Sequence, residues 1–326
     1  MARDVTAQEP RGQFEVGLGR HAIRAMTTEV SVMAFSNILV GAVARPVQPE
    51  VRRIGIADLR DVLAKGIDDF RAMPTHAMFL CIVYPVVGLL LARFTFGYSV
   101  LPLLYPLVSG FALVGPAAAL GLYELSRRRE AGRDTSGAHA FDVLESSSIG
   151  AIAALGILLL VIFVIWVALA NAIYIANFGY ASPDSIESFL HDLFTTRAGW
   201  TLIIVGNGVG LLFAILVLAI SAVSFPLLLD RDVGAAVALL TSIRAVIRNP
   251  LTMAVWGLIV AALLLVGSLP FFLGLTVVLP VLGHATWHLY RKVVAPDAGP
   301  PPTLPEPRKE RRYAADFPSV LFPWTK

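Results

Sequence analysis

The run IGAIAALGILLLVIFVIWVALANAIYIANF, from Ile149 to Phe178, contains no charged side chain. Coiled as a helix it extends about 45 Å at 1.5 Å per residue, longer than the roughly 30 Å hydrocarbon core of a bilayer. In lipid a segment has to satisfy its own backbone hydrogen bonds, so such a run crosses as a helix. This single stretch commits the chain to a membrane and to helices. The composition agrees: 56% of the 326 residues are hydrophobic and only 15% are charged, against about 25% charged in soluble domains. Cys81 is the one cysteine, so no internal disulfide can form.

Five further apolar stretches accompany the first, at 74–94, 99–123, 198–226, 250–268 and 270–290. The expected fold is an all-α polytopic bundle of six transmembrane helices arranged as hairpins. Between the last two runs stands only Ser268-Leu269-Pro270, read as a tight turn with Pro270 in the first turn of the new helix. A single helix across both would be about 60 Å long, twice the bilayer.

The basic residues then orient the chain. Residues 1–73, 124–148, 230–249 and the tail from Arg291 hold 24 of the 26 Lys and Arg; the opposite side keeps only Arg93 and Arg197. Both termini are therefore expected in the cytoplasm. Moving 268–270 out of a turn would scatter the basic segments onto opposite sides, so the charge count supports six spans independently of hydropathy.

Residues 1–51 read as a weakly ordered leader, 52–292 as the membrane domain and the proline- and charge-rich stretch 293–326 as a disordered cytoplasmic tail. In 56–73, Ile56, Leu59, Leu63, Ile67, Phe70 and Met73 recur at three- and four-residue steps, with Asp58, Asp61, Lys65, Asp68 and Asp69 on much of the other face. This is an amphipathic helix expected in the cytoplasmic interface. Residues 232–249 repeat the pattern with Val233, Val237, Leu240, Ile243 and Ile247. Each ends before a proline, Pro74 or Pro250. The strings around Pro116 and Pro280 also align, Tyr123 with Trp287, Leu125 with Leu289 and Arg127-Arg128 with Arg291-Lys292. Two diverged copies of one unit result: surface helix, hairpin, basic exit. A third, weaker copy runs through 140–231. In the loop 179–197, Ile186, Phe189, Leu190, Leu193 and Phe194 suggest a short surface helix.

Candidate chemistry is sparse. His284 and His288 lie one helical turn apart just before Arg291 and Lys292, with Trp287 and Tyr290 among them as in an interfacial aromatic belt. His76 and Glu124 are expected at the same depth, so these four could meet as an N/O metal site. The competing reading, and the favoured one, makes them interfacial residues bonded to water, headgroups or each other. Asn171 and Asn207 are the notable polar residues within spans and could pair across a hairpin. Gly206 and Gly210, four apart in GNGVG, suit a close-packing face. No HExxH, CxxC, GxSxG or P-loop pattern occurs, so no enzyme and no cofactor is expected.

The strings FPLLLDRDVGAAVALLTSIRAVIRNP and FFLGLTVVLPVLGHATWHLYRK resemble a family of uncharacterised bacterial integral membrane proteins grouped as a domain of unknown function. The resemblance extends over about residues 52–292. Some members are named as cytochrome c oxidase subunits. It implies a bacterial inner membrane and supplies no site residues. The expected partners are the lipid bilayer and other membrane proteins, a respiratory complex among them, and no nucleic acid. The leading expectation is a non-catalytic interaction, assembly or envelope component. The alternatives are a small-solute or lipid transporter and an oxidase-associated subunit.

Overall fold

A computed structural model describes residues 48–73, 101–180, 183–270 and 272–296. Among these residues the regular structure is helical, with one isolated antiparallel bridge between Val51 and Val294. The helices are α1 (Ile56–Ala72), α2 (Leu104–Ala118), α3 (Leu120–Glu130), α4 (Ile149–Phe178), α5 (Ile186–Thr195), α6 (Arg197–Ser221), α7 (Ser224–Asp230), α8 (Ala235–Arg248), α9 (Pro250–Ser268) and α10 (Leu275–Val293). A 3-10 stretch, Gly137–Glu145, joins α3 to α4.

Three of these are long and apolar enough to cross a membrane: α4, the α6–α7 pair over Arg197–Asp230, and α9. The bounds of α4 and α9 coincide with the apolar runs in the sequence. Pro226 explains why α6 and α7 are separate, since its ring disfavours the helical turn that precedes it and the chain breaks at Ala222–Val223. The run 74–94 lies outside the described residues. The run 99–123 is divided between α2 and α3 at Ala119. The last turn is longer than expected: α10 begins at Leu275, so Pro270 sits in the connection and not in the new helix. That connection is tight because a Cβ on Gly274 would fall 2.8 Å from the Gly267 carbonyl oxygen.

Outward faces of the long helices are apolar. Ile157, Leu160 and Val164 on α4, Ile204, Leu211 and Leu212 on α6, and Leu258 and Leu265 on α9 are all exposed. Inward contacts rely on small residues, as expected where lipid removes the hydrophobic drive between helices. Trp166 of α4 closes over Gly110 of α2 and Gly210 of α6, and its Nε1 donates to the Pro106 carbonyl at 2.9 Å. Gly210 is thus a packing glycine. Gly206 faces open space, which corrects half of the proposed small-residue face.

The elements that lead the stretches aligned in the sequence each dock on an exit helix of another stretch. α1 lies along α10, the 3-10 stretch lies on α3, and α8 lies on α6 and α7. The exits α3, α7 and α10 in turn touch one another pairwise. Aligned positions share their burial: Tyr123 and Trp287, Leu125 and Leu289 are all at most 1% exposed.

On two helices the buried face is distinct from the bulky apolar stripe read from the sequence. On α1 the buried stripe is Leu59, Val62, Gly66, Asp69, while Ile56 and Ile67 are exposed. Gly66 sets this rotation: a Cβ there would meet Ala285 Cβ at 2.7 Å, so only glycine lets α1 approach α10. On α8 the buried stripe is Ala235, Ala238, Thr241, Ser242 and Ala245, and Leu240 and Ile247 point outward. Small side chains permit the close approach, and the bulky apolar stripe is left facing away from the protein. Gly234, at φ 76°, supplies the left-handed turn that starts α8. α5 forms as expected, capped by Ser185, whose Oγ accepts from Ser188 N at 3.0 Å.

Candidate functional site: a buried polar knot

The exits and α1 meet at the basic end of the bundle around one carboxylate. Asp69 of α1 is 3% exposed. Ser126 Oγ of α3 donates to its Oδ2 at 2.6 Å, His288 Nε2 of α10 lies 2.9 Å from the same oxygen, and Arg129 of α3 bonds Oδ1. His284 Nδ1, one turn before His288, is 2.8 Å from Ser126 Oγ. Burial would raise the Asp69 carboxyl, but the hydrogen bonds from His288, Ser126 and Arg129 prevail and hold it at about 2.

Serine, histidine and aspartate together suggest nucleophilic chemistry, and the geometry speaks against it. The hydroxyl has one proton. With Asp69 ionised, that proton goes to the carboxylate, so the His284 ring donates to the serine oxygen through Nδ1 and cannot act as its base. Ser126 is 1% exposed and His284 is fully buried. This arrangement ties three helices together. The remaining ring atom, His284 Nε2, is buried without a hydrogen bond.

The surrounding charges are equally occupied. Glu124, 1% exposed, takes a two-pronged bond from Arg127 at 2.8 and 3.0 Å. Arg127 also reaches the Leu229 carbonyl of α7. Trp287 Nε1 donates to Glu130 at 2.9 Å and Arg291 binds the same carboxylate at 3.0 Å. Tyr290 Oη donates to Asp230 of α7 at 2.5 Å. On the outer flank Lys292 bridges Asp61 at 2.9 Å and Asp58 at 3.4 Å. That contact raises the Lys292 ammonium and lowers the Asp61 carboxyl from their ordinary values.

The two histidines are together, as their spacing required: His284 is fully buried and His288 partly buried, both bonded to protein side chains. Trp287 and Tyr290 are buried beside them because Glu130 and Asp230 satisfy their polar ends. Glu124 is held by arginine, and His76 lies outside the described residues. Among the described residues no group of three or more His, Cys, Asp or Glu is arranged to hold a metal. Asn207 donates to the Ile203 carbonyl of its own helix at 2.7 Å, and Asn171 is half-buried on α4.

Asp69, Ser126, Arg129, Glu130 and Asp230 were not singled out from the sequence. One signal was available: Asp69 falls on the helical face of Leu59, Val62 and Met73, where a carboxylate is out of place unless a partner waits.

Neither a curated protein nor a solved structure matches the chain. Residues 103–230 match a family described as "Predicted integral membrane protein (DUF2189)", a narrower span than the 52–292 of the sequence resemblance, and of the two strings that carried it only Phe225–Asp230 falls inside. What the match and the long apolar helices support together is a predicted integral membrane protein of unknown function.

Proposed function

We propose that the chain is a multi-pass protein of a bacterial inner membrane, with six crossings and both termini in the cytoplasm. It acts without catalysis, as an interaction, assembly or envelope component. The observation that carries this reading is the state of its reactive side chains. Asp69, Glu124, Ser126 and His284 are each at most 3% exposed and committed to bonds between or within helices. What the protein offers its surroundings is apolar helix surface and a basic rim. Lipid and other membrane proteins are the partners that such a surface suits.

Crosslinking in native membranes followed by affinity purification of the full chain tests it. A reproducible membrane-protein partner is the expected result; a lone monomer under all crosslinking conditions overturns the interaction role. An optical spectrum and metal analysis of the same sample address the oxidase-associated alternative, which a colourless, metal-free protein rejects.

A further inference from the structure

Among the described arginines, Arg60, Arg133 and Arg197 are exposed singly outside any ion pair, Arg71 pairs with Asp68 on its own helix, and the remaining nine fall into a knot group and a cluster of four. Those of the knot, Arg127, Arg128, Arg129, Arg231 and Arg291, are all in ion pairs. Arg52, Arg53, Arg244 and Arg248 are exposed, and among the described residues none of them has a carboxylate partner. These four lie at one place. Residues 48–55 cross the end of α8, where Asn249 Oδ1 accepts from Ile54 N at 2.8 Å and Asn249 Nδ2 donates to the Arg52 carbonyl at 3.0 Å. Thr252 Oγ1 donates to the Ile54 carbonyl at 3.0 Å, and Arg244 donates to Gln48 Oε1 at 2.6 Å. Glu50 is the one acid in this crossing segment.

Location gives the cluster its meaning. Asn249 is followed at once by α9, a helix long enough to span, so the arginines stand where the apolar surface begins. On α8, Leu240, Arg244, Ile247 and Arg248 follow the four- and three-residue steps of one face. Ile247 is 71% exposed and Leu251, on the first turn of α9, 67%. Guanidinium groups bind phosphate oxygens through paired N–H donors, and the flanking apolar side chains suit acyl chains. We propose that the α8–α9 corner and the 48–55 segment form a binding site for the phosphate headgroup of an anionic phospholipid. This rests on the membrane reading above and adds a lipid class and a place to it.

The test is native mass spectrometry of the full chain in detergent, titrated with phosphatidylglycerol and, separately, with phosphatidylcholine. Tighter binding of phosphatidylglycerol is expected. R244Q/R248Q should weaken it about 30-fold, at roughly fivefold per arginine near an anionic surface, and leave phosphatidylcholine unchanged. R244K/R248K, which keeps the charge but loses the paired donors, should fall between the wild type and R244Q/R248Q, and K65Q/R71Q should keep the full affinity. Equal binding of the two lipids overturns the proposal, as does full phosphatidylglycerol affinity in R244Q/R248Q with unchanged circular dichroism. Displacement of the lipid by inorganic phosphate at equal concentration would assign the site to a free anion and overturn the lipid assignment. Extraction from native membranes by alkaline carbonate would instead overturn the membrane reading itself.

Discussion

Asp69 receives bonds from three side chains on two other helices, so its removal strands a histidine and an arginine as well as a hydroxyl. Asp69→Ala is expected to cost about 3 kcal/mol, read as a loss of thermal stability of the detergent-solubilised chain. Acid acts on the same residue. Its folded value of about 2 lies below the ordinary 3.8, so the carboxylate favours the fold. That contribution, about 2 kcal/mol, is complete above about pH 4 and disappears as the pH falls through 2. Thermal melts of the wild type should lose stability over this window, and those of Asp69→Asn should lose less. The residue was hidden in the sequence because a membrane-associated helix has two apolar environments available, lipid and protein. Ile56, Leu63 and Ile67 mark the face expected in the membrane interface, which puts Asp69 on the polar side.

At the scale of the element, α8 shows the same division between a bulky apolar stripe and a buried face of small residues. Periodicity reports that a helix has a bulky apolar face; it does not report whether lipid or protein covers it. Small residues carry the missing information, since they mark where backbones meet. A bulky side chain at Gly66 therefore has a clear consequence. Gly66→Leu should separate α1 from α10 and destabilise by about 1–3 kcal/mol or more, with Asp69 losing its partners at the same time. Gly206→Ala, on an open face, should be neutral or slightly stabilising by helix propensity. Thermal stability of the two variants side by side measures the difference. The apolar runs that became α4 and α9 were legible to the residue, because a charge-free run ends where a helix must leave the lipid.

For the whole molecule, the alignment around Pro116 and Pro280 can be set beside the contacts among the exit helices. α3, α7 and α10 touch one another pairwise through side chains that differ among them. Each contributes one buried aromatic, Tyr123, Phe225 and Trp287, at most 1% exposed, though Phe225 does not align with the other two. The six-crossing scheme makes its own prediction. In a Cys81→Ser background, single cysteines at Arg133, Arg248 and Lys326 should react with a membrane-impermeant maleimide only after the cells are opened. One at Asp184 should react in intact cells. Labelling of Lys326 from outside would overturn the hairpin order.

The closure between Val51 and Val294, with Arg52 N donating to the Val293 carbonyl and Ala295 N to Glu50, bears on biosynthesis. Asp69 and His288 are 219 residues apart, so α1 leaves the ribosome long before α10 exists to receive it. Throughout that interval the nascent chain carries a half-made seam, and only translation of its last helix seals it. Truncation anywhere before residue 293 should therefore yield a polypeptide that inserts its early segments yet is handed to quality-control proteases.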